Sequence, residues 1–193
     1  VDENNRKVIE IAGFIHEIFR VLDVPLEQNP DMKDTPRRVA KMYVNEFFKN
    51  QGRPLEELDA QMTLFDSVNS KGELIMIRNI PFTSVCRHHL LPFYGKVNVA
   101  YSPQKKIFGL SKIPRIVNWF SSKPQLQECL TDEIANYIYN FADAEYVRVV
   151  MKAEHTCIAC RGVGVNCDTI TTSVKPCYFN PKRFAEMGGY DFD

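Results

Sequence analysis

The sequence predicts an α+β fold, an antiparallel sheet backed by helices with a helical extension in front. Three observations predict it. Apolar residues recur at helical spacing through the first 50 or so positions. After Ala60 the pattern changes to short strands with β-branched and aromatic residues. Two further amphipathic helices then separate one group of strands from another. Helices followed by a hairpin, two helices and a second hairpin suit a sheet with its helices on one face. We therefore divide the chain into a helical region, 1–60, and a sheet-bearing domain, 61–193.

The elements follow in order. Val8, Ile11, Ala12, Ile15, Ile18, Phe19 and Leu22 mark an amphipathic helix over about 4–22. Asp34-Thr35-Pro36 opens a second, carried to about Lys49 by Val39, Met42, Tyr43 and Phe47. Residues 50–60 are irregular or a short third helix. Leu74–Ile77 and Pro81–Cys86 read as strands around a turn, and Lys96–Tyr101 alternates as a half-buried strand does. Ile107–Leu110 is a short strand. Ser111 caps a helix to about Phe120, and a longer one follows over about 125–141. Tyr146–Ala153 and Thr169–Val174 complete the sheet, and Pro181–Met187 reads as a terminal helix.

Composition narrows the function classes. The 193 residues carry 24 basic and 24 acidic side chains, a formal net charge of zero. Nothing global points to nucleic acid or an anionic membrane, so an anion site must be a local cluster. No apolar run approaches the roughly 18 residues of a transmembrane helix. The first residues show no secretory pattern. Six cysteines are too sparse here for a disulfide scaffold. A reducing, cytoplasmic compartment with free or metal-bound thiols is expected.

Chemistry concentrates in two short clusters, Cys86-Arg87-His88-His89 and His155-Thr156-Cys157. Three of only four histidines stand beside cysteines there. Thiolate and neutral imidazole are zinc donors. Cys86, His89 and Cys157 make a three-ligand set with one tetrahedral position left for water. Adding Cys160 makes a closed, structural Cys₃His set. A strand reading of the Cys157 region favours the open set, because positions three apart then face opposite ways. His88 and His155 flank these donors, and an imidazole as such titrates near neutrality, which suits proton transfer.

Cations form other small groups. Lys112 and Arg115 lie in the first turns of the helix begun by Ser111, where free N–H groups favour phosphate. Arg161 follows the Cys157 cluster, and Arg38 and Lys41 share the second helix. Together they suggest a polyanionic substrate. Gln127-Glu128 opens the later long helix. Its carboxylate either complements the helix terminus or accepts two parallel N–H donors from a guanine-like edge.

The motifs Cys86–His89, Gly109-Leu110-Ser111-Lys112-Ile113-Pro114-Arg115, Pro124–Thr131 and His155–Gly162, with Asp34–Tyr43 before them, are collinear. In order and spacing they closely resemble GTP cyclohydrolase I, over about Arg6–Phe179. The resemblance implies a tunnelling fold, a four-stranded antiparallel sheet backed by two helices, assembled into a homodecamer of two pentameric rings. It implies a zinc-dependent hydrolase that converts GTP and water to formate and 7,8-dihydroneopterin triphosphate, a first step of pterin- and folate-type biosynthesis. On that resemblance Cys86, His89 and Cys157 match the zinc ligands. His155 matches the group that protonates the purine, and His88 a second imidazole near it. Glu128 matches the guanine anchor, with Gln127 beside it. Ser111, Lys112, Arg115, Arg161, Arg38 and Lys41 match the triphosphate binders, the last two from a neighbouring chain. Three features depart from the family pattern: Arg87 where Glu is common, the extra thiol of Cys160, and the segment Val163–Asp168.

Overall fold

A computed structural model describes residues 2–67 and 74–176. The helix expected at 181–187 lies outside the described residues. The chain forms two compact units, Val1–Gln51 and Gly52–Asp193.

The first unit is built on two helices, α1 (Glu3–Val21) and α2 (Thr35–Met42), packed on each other. Pro36 sits in the first turn of α2, where its missing N–H costs nothing. Asp34 precedes it but makes no side-chain capping bond. Beyond Met42 the helix widens into a π-type turn, Tyr43–Phe47, rather than continuing regularly to Lys49. The apolar stripe of α1 is only partly used. Val8 is buried, Ile11, Ala12, Ile15 and Phe19 are half-buried, and Ile18 and Leu22 stay exposed.

The second unit carries the sheet. It opens with a single helical turn, α3 (Glu56–Asp59), and with β1 (Leu64–Asp66), a strand the sequence did not suggest. The strands expected on either side of a turn are one strand, β2 (Ile75–Cys86). The apparent turn is a bulge, with the pairing register shifting between Ile77 and Ile80. Asn79 enters the left-handed region there (φ 57°), which Asn tolerates better than most residues. Its N–H donates to Asn98 Oδ1 at 2.8 Å. β3 (Pro92–Ser102) pairs antiparallel with β2, and β4 (Lys106–Phe108) pairs with β1 as a separate ribbon.

Two helices follow, α4 (Lys112–Ser121) and α5 (Gln127–Phe141), separated by the two-residue strand β5 (Pro124–Gln125). β6 (Tyr146–His155) pairs with β3, and β7 (Asp168–Lys175) with β6, both antiparallel. A helical turn, α6 (Thr156–Ala159), leads out of β6. The sheet order is β5-β2-β3-β6-β7. Four long antiparallel strands thus gain a short parallel edge at β5.

Burial explains the arrangement. Val97, Val99 and Tyr101 of β3 and Val147, Val149 and Met151 of β6 face Ile113, Ile116 and Val117 of α4 and Leu130, Ile134 and Ile138 of α5 in one core. All are completely buried. Each such side chain stabilises the fold by about 1.5–3 kcal/mol relative to exposure. β3 and β6 run so close at Gly95 that a Cβ there would lie 2.0 Å from the Lys152 carbonyl oxygen. Only glycine fits that point of the ladder.

Candidate metal and nucleotide site

The pairing register brings the two chemical clusters together. β3 is the shared neighbour of β2 and β6. At one end Val85 pairs with Pro92, and Phe93 pairs with both Ser84 and His155. Cys86 and Cys157 lie just beyond these pairs, so both strands deliver a thiol to the same end of the sheet.

Local turns then aim the donors. Leu90 takes a left-handed conformation (φ 53°), unusual for a γ-branched residue. The turn it makes lets the N–H groups of His89 and Leu90 both reach the Cys86 carbonyl, at 3.3 and 2.8 Å. His89 is folded back, with Nδ1 3.8 Å from Cys86 Sγ. On the other strand, Thr156 Oγ1 donates to the Pro92 carbonyl at 2.6 Å, fixing the start of α6. The donor atoms of Cys86, His89 and Cys157 all lie within 4.8 Å of one another. Cys86 is buried, Cys157 half-buried and His89 exposed.

The electrostatics suit a cation. Burial pushes the Cys157 thiol up, and the neighbouring Cys86 sulfur pushes it further, against a smaller downward pull from Arg161. Two crowded sulfurs cannot both become thiolates without a positive charge between them. A divalent soft cation supplies that charge, so this donor set fits zinc.

Cys160 stands outside the group. Its Sγ is turned back to the Thr156 carbonyl, 2.7 Å away. The reason inferred from sequence needs correcting. Cys157 lies in a helical turn rather than in a strand, and positions three apart on a helix share a face. It is this hydrogen bond, not strand alternation, that turns the Cys160 sulfur aside.

The other expected residues fall into groups. His155 stacks on Phe93, ring centroids 4.6 Å apart and planes 4° from parallel. Its Nε2 lies 2.7 Å from Gln127 Oε1. Burial lowers the His155 pKa, and the nearby Glu128 carboxylate partly opposes this. Glu128 is exposed on the first turn of α5, whereas Gln127 beside it is buried. His88 is exposed, its ring edge-on to His89. Ser111, Lys112 and Arg115 share the start of α4. Ser111 makes no capping bond there, and Lys112 Nζ donates to the Gln61 carbonyl at 2.8 Å. Arg161 is exposed just after α6 and acts electrostatically on Cys157. Arg38 and Lys41 lie exposed on α2, in the first unit. The cluster and its surroundings therefore unite Cys86, His89, Cys157, His155, Gln127, Glu128, His88 and Arg161.

Sequence reasoning missed Phe93, Leu90, Thr131 and Thr171. Thr171 left a faint signal. Thr169, Thr171 and Ser173 alternate along β7, and a row of hydroxyls on one face of a strand marks a polar contact rather than a core.

Comparison with known proteins follows the same residues. A family model described as GTP cyclohydrolase I matches residues 11–187. The GTP cyclohydrolase 1 of Sulfurihydrogenibium sp. (strain YO3AOP1) is 49% identical over 164 residues, 83% of each chain. That of Fusobacterium nucleatum subsp. nucleatum is 42% identical over 175 residues, 90% of this chain and 89% of its own. That of Carboxydothermus hydrogenoformans is 41% identical over 176 residues, 89% of this chain and 86% of its own.

Proposed function

We propose that this chain, which belongs to the GTP cyclohydrolase I family, hydrolyses GTP to formate and 7,8-dihydroneopterin triphosphate. The observation that carries the reading is the group of two thiols and an imidazole within 4.8 Å, with His155 and Glu128 beside it. Cys86, His89 and Cys157 would hold zinc. Zinc held there would supply Lewis acidity that brings the pKa of water toward neutrality.

The remaining roles belong to the chain itself. Glu128 accepts the paired N–H donors of the guanine edge, which sets the purine's orientation. His155 exchanges a proton with the imidazole ring of the substrate as that ring opens, and His88 offers a second imidazole nearby. Ser111, Lys112, Arg115 and Arg161 bind the triphosphate. Lys112 must exchange the Gln61 carbonyl for a phosphate oxygen to do so. Arg38 and Lys41 would come from a neighbouring chain of a homodecamer. Among the described residues β7 is an edge strand, and a free strand edge is a template for pairing with another chain. On this reading region 61–193 is a tunnelling-fold catalytic domain, region 1–60 its helical extension, and the enzyme is cytoplasmic.

The test is direct. Purified protein incubated with GTP should release formate and develop pterin fluorescence, and a chelator should stop both. Undiminished formate release from metal-free protein would refute the zinc-dependent reading.

A further inference from the structure

We infer that Gln127 is a positioning residue that fixes the tautomer and ring orientation of His155, so that Nδ1 is the ring nitrogen left with a lone pair. This deepens the function proposed above and rests on it for the identity of the proton's partner. The tautomer itself follows from hydrogen bonds alone.

Gln127 is 2% exposed, so every polar atom of its side chain must find a partner within the protein. Its Nε2 lies 3.2 Å from the Met151 carbonyl oxygen, 2.9 Å from the Thr169 carbonyl oxygen and 3.1 Å from Thr171 Oγ1. Backbone carbonyls only accept. An amide turned the other way would set its own oxygen against two such oxygens with no proton between them. The orientation of the amide is therefore forced, even though nitrogen and oxygen resemble each other in shape.

Two threonines close the circuit. Thr131 Oγ1 donates to the Gln127 backbone carbonyl at 2.7 Å. Its lone pairs are then free for the Thr171 hydroxyl, 2.6 Å away. With its proton so directed, Thr171 turns a lone pair to Gln127 Nε2–H. Whichever hydroxyl donates in the Thr131–Thr171 contact, the amide orientation is set by the two backbone carbonyls.

The outcome at His155 follows. Gln127 presents Oε1, a pure acceptor, 2.7 Å from His155 Nε2. Nε2 must therefore carry a proton, in the neutral ring and in the imidazolium alike. The parallel stack on Phe93 holds the ring plane. Nδ1 is left as the nitrogen with an available lone pair. Sequence had placed Gln127 at the guanine edge with Glu128. The first turn of α5 separates the two, burying Gln127 behind the imidazole and leaving Glu128 exposed.

Nitrogen-15 spectra of zinc-loaded protein labelled at its four histidines read the tautomer without substrate. A His155→Asn spectrum assigns the resonance. The wild type should show His155 protonated at Nε2 and bare at Nδ1. Gln127→Met should give a mixture of both tautomers and lower kcat about tenfold or more, with KM for GTP within about twofold of wild type. A wild-type His155 protonated at Nδ1 would overturn the inference, and this measurement stands even if the variant does not fold. A raised KM with an unchanged tautomer and kcat would also overturn it, making Gln127 a substrate contact. If wild-type protein fails to turn over GTP, the proposed reaction falls while the spectrum still decides the tautomer.

Discussion

The two ends of the β3–β6 ladder are built from the same backbone and do opposite things. At one end Val99 pairs with Val149 and Tyr101 with Val147, all completely buried against α4 and α5. On the other face of the sheet there, Ala100 and Tyr146 form a second small apolar cluster with Leu74, Met76 and Val174. At the opposite end Phe93 pairs with His155, and the chain then leaves the sheet through turns that carry Cys86, His89 and Cys157. The apolar end has no polar chemistry to perform, and it fixes the register. The polar end relies on that register, since a slip of one residue would send His155 to the other face. Substitutions at the first end should cost stability, and at the second, chemistry.

The largest expected effect tests the polar end. Cys157→Ala should lose bound zinc and drop formate release below detection, while circular dichroism keeps its wild-type form. A variant that still released formate at the wild-type rate with no metal would erase the distinction between the ends.

Next comes the packed end. Ile134 is completely buried on α5, and Ile134→Ala should lower unfolding free energy by about 2–5 kcal/mol in urea titration. The fraction still folded should bind zinc at the wild-type ratio. A selective loss of zinc with unchanged stability would contradict the division of labour.

A smaller effect tests the cations expected to bind phosphate. Arg115→Ala should weaken GTP binding about tenfold by calorimetry, a loss typical of one charge-assisted contact, and guanosine binding hardly at all. Equal losses for both ligands would remove its phosphate role.

The smallest concerns the tie between α5 and β7. Asp132 accepts from Lys175 Nζ at 2.8 Å and from Ser173 Oγ at 2.7 Å. The hydrogen bond from Lys175, more than any other contact, holds its carboxyl below the ordinary value of 3.8. A depressed carboxylate contributes stability above its unfolded pKa and loses it as pH falls through the folded one. Wild type should therefore exceed Asp132→Asn in stability at neutral pH, by a modest margin because the carboxylate is half exposed. That gap should close below pH 3.8. A gap that persisted in strong acid would point to packing instead.

Much of this was legible in the sequence. The amphipathic periods of α1 and α5 and the alternation of β3 follow from local spacing, whereas α4 was placed by Ser111, which makes no capping bond. The bulge at Ile77–Ile80 was not legible. An Arg-Asn pair between two apolar runs reads as a turn unless the partner strand is known. β1 escaped because a three-residue strand has no period to detect. The donors Cys86, His89 and Cys157 were legible because soft ligands are rare and stood in clusters. The setting of His155 was not. Phe93, Thr131 and Thr171 are ordinary residues whose roles arise only from the pairing of β3, β6 and β7.

The placement of the sulfur donors has one more consequence. Cys86 terminates β2 and Cys157 follows β6, two strands that do not pair with each other but share β3 as a common neighbour. An ion gripped by both is a clasp across the top of a three-strand span, and the chain cannot open that span without releasing it. Resistance to heat should then climb with the logarithm of free zinc, as mass action requires of a ligand that recognises only the folded form. The melting temperature becomes a gauge of occupancy that needs neither nucleotide nor turnover.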